Sequence, residues 1–137
     1  MIWESIVLEY LTTTEKLLIS PEYDIAWDKA AREGGSYPDF IAIHPERPGR
    51  IYVIEVSTAS NLKGLAERFQ ERQERWFRPL DRALSIWGRG GPFDFKAVAF
   101  IRKDAEHFTL RADDIEIRYL EDIAFGWDPK RQSPTLP

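Results

Sequence analysis

The sequence predicts an α/β sandwich, with a mixed β-sheet flanked by helices. Three observations predict it. Residues 51–57, Ile-Tyr-Val-Ile-Glu-Val-Ser, are almost all β-formers and apolar on both faces, as a central, doubly covered strand should be. Residues 62–87 place Leu62, Leu65, Phe69, Trp76, Leu80, Leu84 and Trp87 at helical spacing. The order of elements is helix, strands, long helix, strands, which builds a layered α/β domain. The 137 residues, 43% of them hydrophobic, suffice for one domain with its own core.

Taken in order, residues 3–19 read as a helix on Trp3, Ile6, Val7, Tyr10, Leu11, Leu17 and Leu18. The run Thr12-Thr13-Thr14 weakens its middle, and Thr12 with Glu15 could cap a second short helix. Pro21 ends this element, and Tyr23 to Trp27 suits a short strand. Glu33-Gly34-Gly35-Ser36 marks a loop, and Tyr37 to Ile43 a second strand with Pro38 at its start. Pro45 to Arg50 reads as the turn into the strand 51–57. Ser60 or Asn61 can cap the long helix, which Pro79 should kink and Gly88 to Pro92 should end. Phe95 to Ile101 reads as another buried strand, with His107 to Leu110 and Ile115 to Leu120 as shorter ones. The domain is expected over 1–127, with 128–137, which holds three prolines, as a loose tail.

Composition removes several chemistries. With no Cys there is no disulfide framework, thiolate zinc site or thiol nucleophile. His44 and His107 lie far apart, belong to no motif and are expected to be structural. Gly88 to Gly91 lacks the Lys-Ser/Thr of a phosphate-binding loop. No apolar run reaches the roughly 18 residues of a membrane span. Met1-Ile2-Trp3-Glu4 does not resemble a signal peptide, so a cytoplasmic protein is expected. The net charge of -4 argues against uniform coating of a polyanion. That average hides a split. Residues 63–103 hold ten Lys+Arg against five Asp+Glu, whereas residues 1–62 hold five against ten.

The chemistry concentrates in two acids. Asp39 follows Pro38 and opens one strand, and Glu55 lies inside the next between Ile54 and Val56. A carboxylate in such a strand is costly unless something neutralises it. If residues 45–50 turn a hairpin, the two acids fall close together, and two carboxylates sharing a site invite a hard divalent cation. Alternatively, Asp39 meets water and Glu55 pairs with an arginine.

Gly-Ser-Tyr-Pro-Asp-Phe-Ile-Ala-Ile (35 to 43), a turn, and Ile-Tyr-Val-Ile-Glu-Val-Ser (51 to 57) resemble the core of the PD-(D/E)XK nuclease superfamily. Restriction endonucleases and Holliday-junction resolvases belong to it. The resemblance spans roughly residues 1–101. It implies a restriction-endonuclease-like fold in which Asp39 and Glu55 hold Mg²⁺ or Mn²⁺, joined by a first-helix acid, Glu4 before Glu9. It also implies DNA as substrate, and a homodimer is plausible for so small a chain. The motif calls for a Lys where this chain has Ser57. Lys63, at the start of the next helix, is the candidate substitute; an exposed surface lysine is the alternative. Gln73, before the less well placed Gln70, resembles a helix Gln that approaches the metal in some nuclease families. It could equally be a residue at the edge of the core.

Arg68, Arg72, Arg75 and Arg82 fall on one stripe of the long helix and could meet phosphates. Glu71 with Arg75 and Glu74 with Arg78 are, however, spaced as helix ion pairs. The expectation is therefore a metal-dependent endonuclease-like protein with catalytic Asp39, Glu55, Lys63 and Gln73. The rival is an inactive nuclease-fold module that binds protein or nucleic acid, which Ser57 and the acidity favour. A third possibility is an α/β domain of other ancestry.

Overall fold

A computed structural model describes residues 2–86, 92–124 and 136–137, and it has a mixed sheet between two helical layers. The elements are α1 (Ile2–Thr13), β1 (Leu18–Pro21), β2 (Phe40–His44), β3 (Arg47–Val56), α2 (Lys63–Gln70), a π-helical turn (Gln73–Phe77), α3 (Arg78–Ile86), β4 (Asp94–Ile101), β5 (Ile115–Tyr119) and α4 (Leu120–Ala124). The five strands lie in the order β1-β2-β3-β4-β5. β2 runs antiparallel to both β1 and β3, while β3, β4 and β5 are parallel. No described helix is long and apolar enough to cross a membrane.

Strand alternation divides the core in two. Tyr52, Ile54, Val56, Val98 and Phe100 face α1 and α4, against Val7, Tyr10, Leu11 and Ile123. Ile51, Val53, Ala97, Ala99 and Ile101 face the other way, against Leu65, Phe69, Trp76 and Leu80. Phe69 packs edge-on against both Trp76 and Phe108. Residues 55 and 39 share parity with this second set, so both acids belong to the α2 side of the sheet.

Several elements depart from expectation. The first helix stops at Thr13, where the Thr12 and Thr13 hydroxyls donate to the Leu8 and Glu9 carbonyls and Lys16 turns to a positive φ of 55°. Leu18 to Pro21 then becomes an edge strand instead of helix. Glu15 caps nothing: it is buried and accepts from the Tyr10 hydroxyl and the Leu136 N–H. Residues 23–27 form no strand, only a single bridge from Ile25 to Ser36. Asp28 Oδ1 takes the N–H groups of Ala30 and Ala31 and so holds a turn there. His107 to Leu110 is irregular, with His107 at a φ of 68°.

The long helix is really α2, a π-helical turn and α3. Pro79 has no N–H for the ladder, and the turn just before it widens to suit. Of the region expected to break it, 88–91 lies outside the described residues. So does 128–135 of the expected tail. The last two residues are not loose: Leu136 is buried beside α1, and the Pro137 carbonyl accepts from the Tyr52 hydroxyl.

Candidate functional site

The hairpin of β2 and β3 carries the two acids. Its register pairs Phe40 with Ile54, so one further step sets Asp39 opposite Glu55. Asp39 Oδ2 accepts the Val56 N–H at 2.7 Å, which fixes that carboxylate at the end of β3. On the other side Glu55 is in register with Ala99 of β4, whose methyl takes little of the space beneath α2. Glu55 is only 6% exposed.

Burial holds the Glu55 carboxyl well above the usual carboxylate range, at about 8, with the charge of Asp39 and the hydrogen bond between the two acids adding to the effect. The pair therefore holds a proton at neutral pH. Arg68 of α2 opposes this, since its Nε donates to Glu55 Oε1 at 3.3 Å. One Arg68 terminal nitrogen lies over the first turn of α2, 3.8 Å from where a side chain on Gly64 would begin.

The other residues singled out from sequence are distributed differently. Glu4 is half-buried in the first turn of α1 and Glu9 is exposed, and neither bonds to Asp39 or Glu55 among the described residues. No three His, Asp or Glu side chains come together as a metal-holding group among the described residues. The Ser57 hydroxyl turns back to accept the Ala59 N–H. Lys63 begins α2 with its N–H on Asn61 Oδ1, and its exposed side chain has no ion pair among the described residues. Gln73 is exposed, not on the apolar face: the π turn advances the buried stripe by one residue, to Trp76 and Phe77. Gln70 is exposed too.

The arginines of the stripe all meet carboxylates. Arg72 makes a forked pair with Asp114 at 2.7 and 2.8 Å, tying the start of the π-helical turn to the residue before β5. Arg75 pairs with Glu71 and Arg78 with Glu74, as their spacing predicts. Arg82 reaches Glu33 at 2.9 Å and so holds the loop before β2 against α3. His44 is structural, its Nδ1 accepting the Glu46 N–H in the hairpin turn.

Arg68, expected among the phosphate contacts, sits on Glu55, which is the arginine pairing that the alternative for Glu55 called for. A signal was available: Arg68 lies between Leu65 and Phe69, at the margin of the buried stripe, where a cation can reach under the helix. Comparison with family models, with curated proteins and with solved structures returned no match to this chain.

Proposed function

We propose that the chain is a divalent-metal-dependent phosphodiester hydrolase acting on DNA, built on a restriction-endonuclease-like core. The observation that carries this reading is the contact between buried Glu55 and half-buried Asp39, in which one carboxyl keeps its proton up to about 8. Such a pair is costly for a fold to maintain as mere structure. The element order supports the reading too: a helix, three antiparallel strands, a helix, then a parallel strand.

The donor set fits the ion. Mg²⁺ is commonly held by one or two carboxylates, with waters and substrate phosphates completing its shell. Asp39 and Glu55 are the residues that would hold it. When bound, the ion supplies Lewis-acid charge at the phosphate and acidifies water. The chain's own residues have separate tasks. Asp39 is preorganised by the Val56 N–H. Glu55 would have to give up its proton to hold the ion. Arg68 supplies the fixed positive charge that Ser57 lacks, within hydrogen-bond reach of Glu55, and can steady charge developing on the phosphate.

The Arg68–Glu55 pair also favours a second reading, in which the guanidinium has replaced the metal and the domain only binds. Supercoiled plasmid with Mg²⁺ or Mn²⁺ separates the two. The hydrolase nicks it, and Asp39→Asn and Glu55→Gln each abolish nicking. Absence of nicking at any divalent concentration supports the binding module, and nicking that survives both substitutions overturns the site.

A further inference from the structure

Residues 22–39 leave β1 and return as β2 with Asp39 at their end. Among the described residues, the large aromatic side chains left exposed are Tyr23, Trp27 and Tyr37, and all three lie on this excursion. Trp27 is 58% exposed and Tyr37 68%. Tyr37 stands two residues before Asp39.

The excursion is built to hold its shape. Bridges join Ile25 to Ser36 and Asp28 to Glu33. The buried Trp76 indole donates to Ser36 Oγ at 3.0 Å, and the Gly34 N–H donates to the Glu74 carbonyl, so the excursion is pinned to the π-helical turn. Gly34, at a φ of +90°, has no room for a side chain: a Cβ there would fall 2.3 Å from the Ala26 carbonyl oxygen. Arg32 is held at a φ of 56°, a conformation a non-glycine residue adopts at some cost.

Trp27 and Arg32 border a cleft of about 840 Å³ with Gln70 and Arg75. The acids in that cleft are already paired, Glu33 with Arg78 and Arg82, Glu71 with Arg75, and Glu74 with Arg78. Lys29 and Arg32 are exposed and carry no ion pair among the described residues. Within the cleft the open Trp27 ring and the unspent Arg32 charge suit a ligand with a flat π-face and a phosphate, and Tyr37 and Lys29 lie exposed on the same excursion. Two free cations on so acidic a half of the chain do not suit the dense phosphates of a duplex.

We propose that residues 22–39 are a platform for single-stranded DNA, on which Trp27 and Tyr37 stack unpaired bases while Lys29 and Arg32 meet phosphates, delivering the strand to Asp39. This rests on the reading of the chain as directed at DNA, and it names the form of substrate. Base–aromatic stacking tolerates any sequence, so little base preference is expected.

The test is fluorescence anisotropy with labelled dT20, its duplex with dA20, and U20, all in EDTA with the Glu55→Gln chain, so that no cutting intervenes. The platform predicts dT20 binding at least about tenfold tighter than duplex, with a shallow salt slope of roughly -1.4 for two phosphates. Trp27→Ala should weaken dT20 about fivefold or more and Trp27→Phe much less; Tyr37→Ala, at a second exposed site, guards against a local fault in the first variant. Duplex binding as tight as dT20, wild-type affinity in both alanine variants, or no binding at all overturns the platform. Tighter binding of U20 overturns its assignment to DNA. Plasmid nicking is read separately, so loss of the hydrolase reading leaves this result standing, and the reverse holds too.

Discussion

Replacing Glu55 by Gln should change how stability depends on pH, in a direction the structure dictates. A folded-state carboxyl raised from 4.5 to about 8 binds a proton that the unfolded chain has released. Between those values stability therefore falls as pH rises. The contribution is fully present below about 4.5 and lost above about 8. Each tenfold in proton affinity is about 1.4 kcal/mol, so the swing reaches at most about 5 kcal/mol, and a few kcal/mol once Asp39 and Arg68 relax around the charge. Gln has nearly the same shape and never ionises. The variant should match the wild type near pH 5 and exceed it by a few kcal/mol at pH 9. Urea midpoints followed by tryptophan fluorescence at several pH values measure this. Parallel pH profiles, or a wild type more stable than the variant at pH 9, would refute a buried, proton-holding Glu55.

Three further outcomes follow from the same contacts. Arg68→Ala removes the cation that favours ionised Glu55, so it should raise that carboxyl further and destabilise the fold more at pH 9 than at pH 6, read from the same urea series. Ser36→Ala leaves the buried Trp76 N–H without its partner and should cost about 1–3 kcal/mol in urea unfolding. Phe69→Ala empties a fully buried site between Trp76 and Phe108 and should cost about 3–5 kcal/mol, with a lowered melting midpoint by calorimetry.

What sequence could reveal here followed the strength of the local signal. β3 and β4 were legible because both faces are apolar, and α2 because Leu62, Leu65 and Phe69 keep helical spacing. The approach of Asp39 to Glu55 followed from alternation and a short turn. Elements set by long-range pairing were not legible. β1 exists because Leu18 to Pro21 finds the edge of β2, although its residues also fit a helix. The exposure of Gln73 depends on one extra residue in a π turn, which periodicity counted at 3.6 cannot register. Arg68 was read as a phosphate contact because its charge was weighed without the burial of Leu65 and Phe69 beside it. The role of Leu136 escaped for the same reason: only the folded chain brings it to Glu15.

The proposed hydrolase stands or falls with Asp39 and Glu55 as a divalent-cation site. Titration calorimetry of Mn²⁺ at pH 7, in two buffers of different ionisation enthalpy, tests it most directly. A site of this kind gives saturable binding with about one proton released per ion, as Glu55 gives up the proton it holds to about 8, and loses that binding in both Asp39→Asn and Glu55→Gln. No binding up to roughly millimolar Mn²⁺, or binding that releases no proton and survives both substitutions, would contradict it.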